Sequence, residues 1–161
     1  MFRQIVNSLA LCCIAWVGWA QAAPTPEPVP IQLSADSVAL NEGQSIYRGQ
    51  VDLRQGNMQI LADQITVQHD AQQQPSRLIA RGTPVRFRQK TASGWIQAQA
   101  QRADYLVQSA QLTLSGEVVL RQAGDVMQSD RVIYDRRRQI LKAGGAAAGK
   151  QRVQMTLQAT E

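Results

Sequence analysis

Cysteine is almost absent from this chain of 161 residues: Cys12 and Cys13 are its only two, and both lie in an apolar leader. Without them, neither a disulfide framework nor a thiol nucleophile is expected in the processed protein. Histidine is limited to His69, and aromatic residues make up only 5%. No G-x-S-x-G, H-E-x-x-H or phosphate-loop motif occurs, so the familiar hydrolase, metalloprotease and nucleotide-binding signatures are missing. Helical periodicity is also missing, and no helix is expected.

The leader must be set aside before the fold is read. Arg3 supplies a positive start, Ile5 to Ala20 is mostly apolar, and Ala20-Gln21-Ala22 satisfies the small-x-small rule for signal peptidase. Residues 1–22 are therefore expected to be a cleaved signal peptide. A retained anchor is the alternative, but the apolar run is shorter than the ~20 residues a membrane span needs. Leu11 before Cys12 is too large for a lipoprotein signal. Export of a domain without disulfides suits a bacterial periplasm. Removing Arg3 leaves 16 basic residues against 12 acidic ones, so anionic partners are expected. Export separates the chain from cytoplasmic nucleic acid, and no nucleic-acid partner is expected.

What is abundant is glutamine, with 24 residues, most of them scattered singly between apolar ones as on the polar faces of strands. Residues 23–30 hold four of the six prolines and read as an extended linker. From Ile31 onward apolar and polar residues alternate with strand period, and turn signals such as Asn41-Glu42-Gly43, Gly56-Asn57, Ser93-Gly94 and Gly124-Asp125 separate the runs. About sixteen short strands are expected over residues 31–158, followed by a short tail at 159–161.

An internal repeat decides the architecture. Gly49-Gln-Val51-Asp-Leu53-Arg54-Gln55 recurs as Gly116-Glu-Val118-Val-Leu120-Arg121-Gln122, and a weaker copy starts at Arg81-Gly82. The glycines are 33 and 34 residues apart, and Asp63 and Asp130 each follow a repeat glycine by fourteen residues. Strand-built units of this length cannot each bury an apolar face alone; stacked as rungs they share one core. The expected fold is all-β, an elongated jelly roll or solenoid of short antiparallel strands.

Alternation nominates the inward-facing residues: Ile31, Leu33, Val38, Leu40, Val51, Leu53, Ile60, Ile65, Val67, Val85, Phe87, Ile96, Leu112, Leu114, Val118, Leu120, Val132 and Tyr134. Ordinary core packing is the plain reading for most of them; contact with an apolar ligand is the sharper one. Arg86 and Arg88 alternate with Val85 and Phe87 and should face outward, and Arg136-Arg137-Arg138 should occupy a turn after Tyr134. A solvated basic face is the plain reading for these arginines, and contact with phosphates or sugars the sharper one.

Asp36, Asp63, Asp104 and Asp130 invite comparison with glycosidase carboxylates or calcium ligands. Their recurrence favours a structural role, with each accepting backbone hydrogen bonds at the same corner of successive rungs. His69, beside Asp70 in a turn-rich stretch, reads as a surface residue.

Several fragments, in this order and spacing, resemble the LptA family of periplasmic lipopolysaccharide-transport proteins in the OstA-like superfamily. They are Pro30-Ile31-Gln-Leu33-Ser-Ala-Asp36, Tyr47-Arg-Gly49-Gln-Val51, Ile60-Leu-Ala62-Asp63-Gln-Ile65-Thr-Val67, Leu112-Thr-Leu114-Ser-Gly116-Glu-Val118 and Ser129-Asp130-Arg-Val132-Ile-Tyr134. Together the resemblance spans about residues 29 to 158. It implies a jelly roll slightly open along one side, non-enzymatic and without a cofactor or metal, whose inward residues hold the acyl chains of lipid A. It also implies head-to-tail copies joined to an inner-membrane Lpt complex subunit and an outer-membrane Lpt translocon. Among members, the stand-alone soluble form fits best, although the lysine-rich tail common there is replaced by an end at Glu161. Ile31 and Leu33 on one side, and Val153, Met155 and Leu157 on the other, are the expected partner edges, with core packing the plain alternative for the last three. A structural adaptor that joins envelope proteins without binding lipid is the competing reading; a hydrolase of acidic glycans dependent on Asp63 or Asp130 is a third.

Overall fold

A computed structural model describes residues 29–144 and 152–158. The expected signal peptide, most of the proline linker, most of the Ala/Gly stretch after Ala143 and the tail lie outside the described residues. Ten strands form one antiparallel sheet: β1 (Gln32–Ser34), β2 (Ser37–Asn41), β3 (Gln44–Gln55), β4 (Met58–His69), β5 (Pro75–Thr91), β6 (Gly94–Leu106), β7 (Gln111–Gln122), β8 (Asp125–Asp135), β9 (Ile140–Ala143) and β10 (Gln154–Thr156). The order is β1-β3-β4-β5-β6-β7-β8-β10, with β2 also on β3 and β9 also on β8. No helix occurs among the described residues.

Six strands, β3 to β8, are 11 to 17 residues long, and each has a slip of register near its middle, for example between Arg48 and Val51 on β3 and between Arg81 and Val85 on β5, with a further one between Gln68 and His69 where β4 pairs with β5. With each long strand counted as two halves, the four short strands bring the number to the sixteen expected. The slip resets the alternation. On β4 the buried apolar side chains are Met58, Ile60 and Ala62, then Ile65 and Val67; on β6 they are Ile96, Ala98 and Ala100, then Ala103 and Tyr105. Both halves therefore present apolar side chains to one interior, and the sheet doubles over into two facing walls. The first wall contains 51–55, 58–62, 85–91, 94–100, 118–122 and 125–129, edged by β1 and β10; the second contains 44–48, 64–69, 75–81, 102–106, 111–115 and 131–135, edged by β2 and β9.

The repeat glycines lie at the corners where strands pass between walls. Gly49 and Gly116 have φ of +80° and +81°, and Gln50 and Glu117 follow at +43° and +49°. A Cβ at Gly49 would lie 2.3 Å from Asp36 Oδ2, and one at Gly116 2.7 Å from Gln101 Oε1, so close approach as well as backbone conformation demands glycine. Gly82 is extended, but a Cβ there would meet the backbone nitrogens of Val85 and Asp63 at 3.2 and 3.3 Å. At this corner Asp63 Oδ2 accepts the Thr83 N–H at 3.0 Å, as expected of a corner carboxylate. Asp104 departs from that expectation. It lies beyond the β6 corner, where Gln101 packs over Gly116 instead, and it pairs with Arg77 and Arg102 on the outer face of the second wall.

The shared core includes Val51, Leu53, Ile65, Leu112, Leu114, Val118, Val132 and Tyr134, each at most 1% exposed. Each such side chain contributes on the order of 1.5–3 kcal/mol by leaving water, and the described residues, which contain no cysteine, depend on this burial.

Candidate functional site

The interior between the walls is the candidate site. Of the eighteen residues nominated by alternation, fourteen are buried in the shared core, and Ile31 and Leu33 pack against its margin. Val38 and Leu40 do not join them. They pair with Tyr47 and Ser45, on the face toward the interior, but stand 54% and 74% exposed because β2 is the last strand of its wall. Alternation also left Met58, Leu78, Ala80, Ala103 and Tyr105 off that list, although all are buried in the same core. The short Leu78/Ala80 and Ala103/Tyr105 alternations were the signal available.

Midway along the roll the two walls meet: the Phe87 ring of the first wall touches the Tyr134 ring of the second edge to face, with centroids 6.1 Å apart. Toward the β9/β10 end they part. There Leu120, Met127, Leu141, Ala143, Val153 and Met155, with Gln122, Ala123 and Asp125 of the β7–β8 turn, surround an opening of about 590 Å³. Met155 is in register with Met127, which pairs in turn with Leu120, so the last strand continues the inner face of its wall. This size and lining suit a small apolar ligand or part of a chain.

The long sides of the roll differ. One is formed by the kinks and is continuous chain. Along the other run the hairpin turns of both walls, and among the described residues only Arg136 and Tyr105 send side-chain hydrogen bonds across it, to Gln89 and Gln55. Arg136, expected in a solvated turn, is indeed in the turn between β8 and β9, but its guanidinium is half-buried in this seam. The expectation of solvation fails because Gln89 and Tyr105 carry acceptors into the interior within its reach.

Arg86 and Arg88 face outward as expected. With Leu61, Gln97, Gln99 and Arg121 they line a shallow concavity of about 330 Å³ on the outside of the first wall, and Arg88 lies over the Trp95 ring at 5.7 Å. Nearby, burial tends to raise the Asp52 pKa, but hydrogen bonds from Arg54 and Gln59 and the charges of Arg54 and Arg88 hold it below the ordinary value. Asp104 behaves alike: burial opposes ionisation, while hydrogen bonds and charge from Arg77 and Arg102 prevail. His69 ends β4 half-exposed beside the turn that Asp70 organises by accepting the N–H groups of Gln72 and Gln74.

Both ends of the sheet present edges. β1 and β2 each pair only with β3, and β9 and β10 only with β8, leaving backbone groups on their outer sides without a strand partner among the described residues. The expected edge residues Val153, Met155 and Leu157 are 43%, 56% and 66% exposed.

Fold and site define a class: an open, two-walled antiparallel jelly roll with an apolar interior that widens at one end. Residues 32–140, well over half of the chain, match the family model described as LptA/(LptD N-terminal domain) LPS transport protein, and the chain belongs to that family. Over 135 residues it is 27% identical to the lipopolysaccharide export system protein LptH of Pseudomonas aeruginosa, covering 81% of this chain and 77% of that protein. Identity to the lipopolysaccharide export system protein LptA of Haemophilus influenzae is 29% over 133 residues, or 80% and 76% of the two chains. The crystal structure of LptH, described as the LptA-homologous periplasmic component of the lipopolysaccharide transport device of P. aeruginosa, superposes with a TM-score of 0.74 at 26% identity, covering 81% of this chain and 96% of that one.

Proposed function

We propose that this protein carries lipopolysaccharide through the periplasm without catalysing a reaction, holding lipid A acyl chains between its walls and bridging the two membranes as head-to-tail copies. The observation that supports it most is an apolar interior that runs between both walls and widens at the β9/β10 end, in a chain of this family. A dozen buried methylenes would gain on the order of 10 kcal/mol at ~0.8 kcal/mol each, as an upper bound. Release into water would be correspondingly slow. Sliding between equivalent apolar sites avoids that barrier, because each step exchanges one buried position for another of similar free energy.

Continuity between copies calls for ends that join. An exposed edge accepts a partner strand through backbone hydrogen bonds, and joining a β9/β10 end to a β1/β2 end is a heterologous contact that propagates. The same two edges would meet an inner-membrane Lpt subunit and an outer-membrane Lpt translocon. Cleavage of residues 1–22 would release the mature chain into the periplasm, with residues 23–30 as a linker ahead of the folded domain.

A second reading, an adaptor that joins envelope proteins without lipid, draws on the tight packing around Phe87 and Tyr134. Photo-crosslinking separates the two. A crosslinking residue at Phe87, which is 3% exposed, should give lipopolysaccharide adducts in cells, and one at the outward-facing Arg88 should not. If position 87 and then Leu114 give no adduct, the adaptor replaces the carrier.

A further inference from the structure

Arg136 holds the seam in an unusual way. Its Nε donates to Gln89 Oε1 at 3.1 Å, its Nη1 to Gln55 Oε1 at 2.8 Å and to the Tyr105 hydroxyl at 2.7 Å, and its Nη2 to the Gln55 carbonyl at 3.4 Å. The guanidinium also lies 5.4 Å from the centre of the Tyr105 ring. Every one of these acceptors is neutral. Asp135, the adjacent carboxylate, instead accepts the backbone N–H groups of Arg137 and Arg138 at 3.0 Å. A positive charge is thus kept at the mouth of an apolar interior by groups that do not neutralise it.

An oxyanion adds charge–charge attraction to the hydrogen bonds that a guanidinium already makes to neutral acceptors, and the planar fork matches phosphate. An oxyanion arriving at the seam would therefore displace the glutamines. A second, independent feature points the same way. The Tyr134 hydroxyl, near the end of β8 two positions before Arg136, is buried without a hydrogen-bond partner among the described residues, so a donor lies idle. Such a group costs free energy unless something accepts from it. The Phe87 ring packs against that of Tyr134.

We propose that Arg136, with the hydroxyls of Tyr105 and Tyr134, forms a receptor for the phosphate headgroup of an amphiphile whose apolar chain enters between the walls beside Phe87. Exchange of Gln55 and Gln89 for the phosphate frees the side chains that bridge the two rows of turns, so headgroup capture and parting of the seam are one event. The proposal rests on the lipid-carrying reading and adds to it the recognised group and the point of entry.

The test uses the mature protein and two amphiphiles with the same chain, dodecyl phosphate and neutral dodecyl maltoside, with binding measured calorimetrically below their micelle thresholds. The wild type should bind dodecyl phosphate roughly tenfold more tightly. Arg136→Gln should abolish that preference and leave dodecyl maltoside binding in place. Gln55→Leu, which removes a competing acceptor, should strengthen dodecyl phosphate binding, whereas Arg88→Gln on the outer face should change neither. Inorganic phosphate at the same concentration should not compete; if it does, the site takes free anions and the amphiphile assignment is overturned. A preference that survives Arg136→Gln overturns the receptor, as does a wild type that binds both detergents equally. If neither detergent binds the wild type, the lipid-carrying reading fails and this proposal with it. Should Arg136→Gln not fold, the Gln55→Leu result decides, and an unchanged ratio of affinities overturns the proposal.

Discussion

The two long sides of the roll are closed by different means. On one, the backbone itself turns the corner, with left-handed residues at Gly49–Gln50 and Gly116–Glu117 and side chains packed against the bare glycine Cα atoms. On the other, two rows of hairpin turns are joined by the side-chain hydrogen bonds of one arginine and one tyrosine. The first side cannot open without breaking strands; the second can open by exchanging a few bonds. A container that must accept and release a long apolar cargo needs one fixed side and one yielding side, and the repeat glycines Gly49, Gly82 and Gly116 lie on the former.

The comparison breaks most readily at a corner. Gly49→Val should cost roughly 3 kcal/mol or more in urea unfolding, since a β-branched residue is strained at φ +80° and its Cβ would overlap Asp36. Gly43→Ala, at φ +71° in a hairpin with nothing within 4 Å, should cost only about 1 kcal/mol. Equal losses would mean that the corner has no special place.

A smaller effect separates the outer wall faces from the seam. The folded-state pKa of Asp104 is held below its usual 3.8 despite burial, so the stability it adds is present at neutral pH and lost as pH falls through the folded value. Asp104→Asn should cost on the order of 1 kcal/mol at pH 7, with Arg77 and Arg102 partly solvated. The difference between wild type and variant should then shrink below pH 3.8. The seam bonds of Arg136 contain no carboxylate, so hydrogen exchange at the Arg136 amide, which donates to the Ala110 carbonyl, should not accelerate over the same pH range.

The smallest effect has the opposite sign. Tyr134→Phe removes a buried hydroxyl without a partner and should stabilise the protein by up to about 1 kcal/mol, read as a higher denaturation midpoint. A loss of stability would show that the hydroxyl is satisfied in the free protein.

Much of this design was legible in the sequence. Period-two alternation identified both halves of β4 and β7 and one half of each other long strand, and the glycine spacing of 33 and 34 marked three corners. Asp63 behaved as a corner residue should, whereas Asp130, also fourteen residues past a repeat glycine, accepts no such hydrogen bond among the described residues. Asp104 did not, because the Ala-Asp pair it shares with Asp63 is a dipeptide coincidence; the geometric counterpart at its corner is Gln101, a different side chain over the same kind of glycine. Arg136 was legible as a turn residue but not as a bridge. Its partners lie 31, 47 and 81 residues away in sequence, and only the crossing of the two walls brings them within reach. Val38 and Leu40 show the remaining limit, for alternation gives the face of a strand but not whether another wall covers it.

The paired short strands at each end bear on mechanics. β1 and β2 belong to different walls and are separated by a corner at Ala35–Asp36, and β9 and β10 are divided between the walls in the same way. A joint made through one short strand would be a swivel. One made through both would resist bending and rotation together, so that a row of such copies would act as a strut whose reach is set by the number of units and not by slack between them.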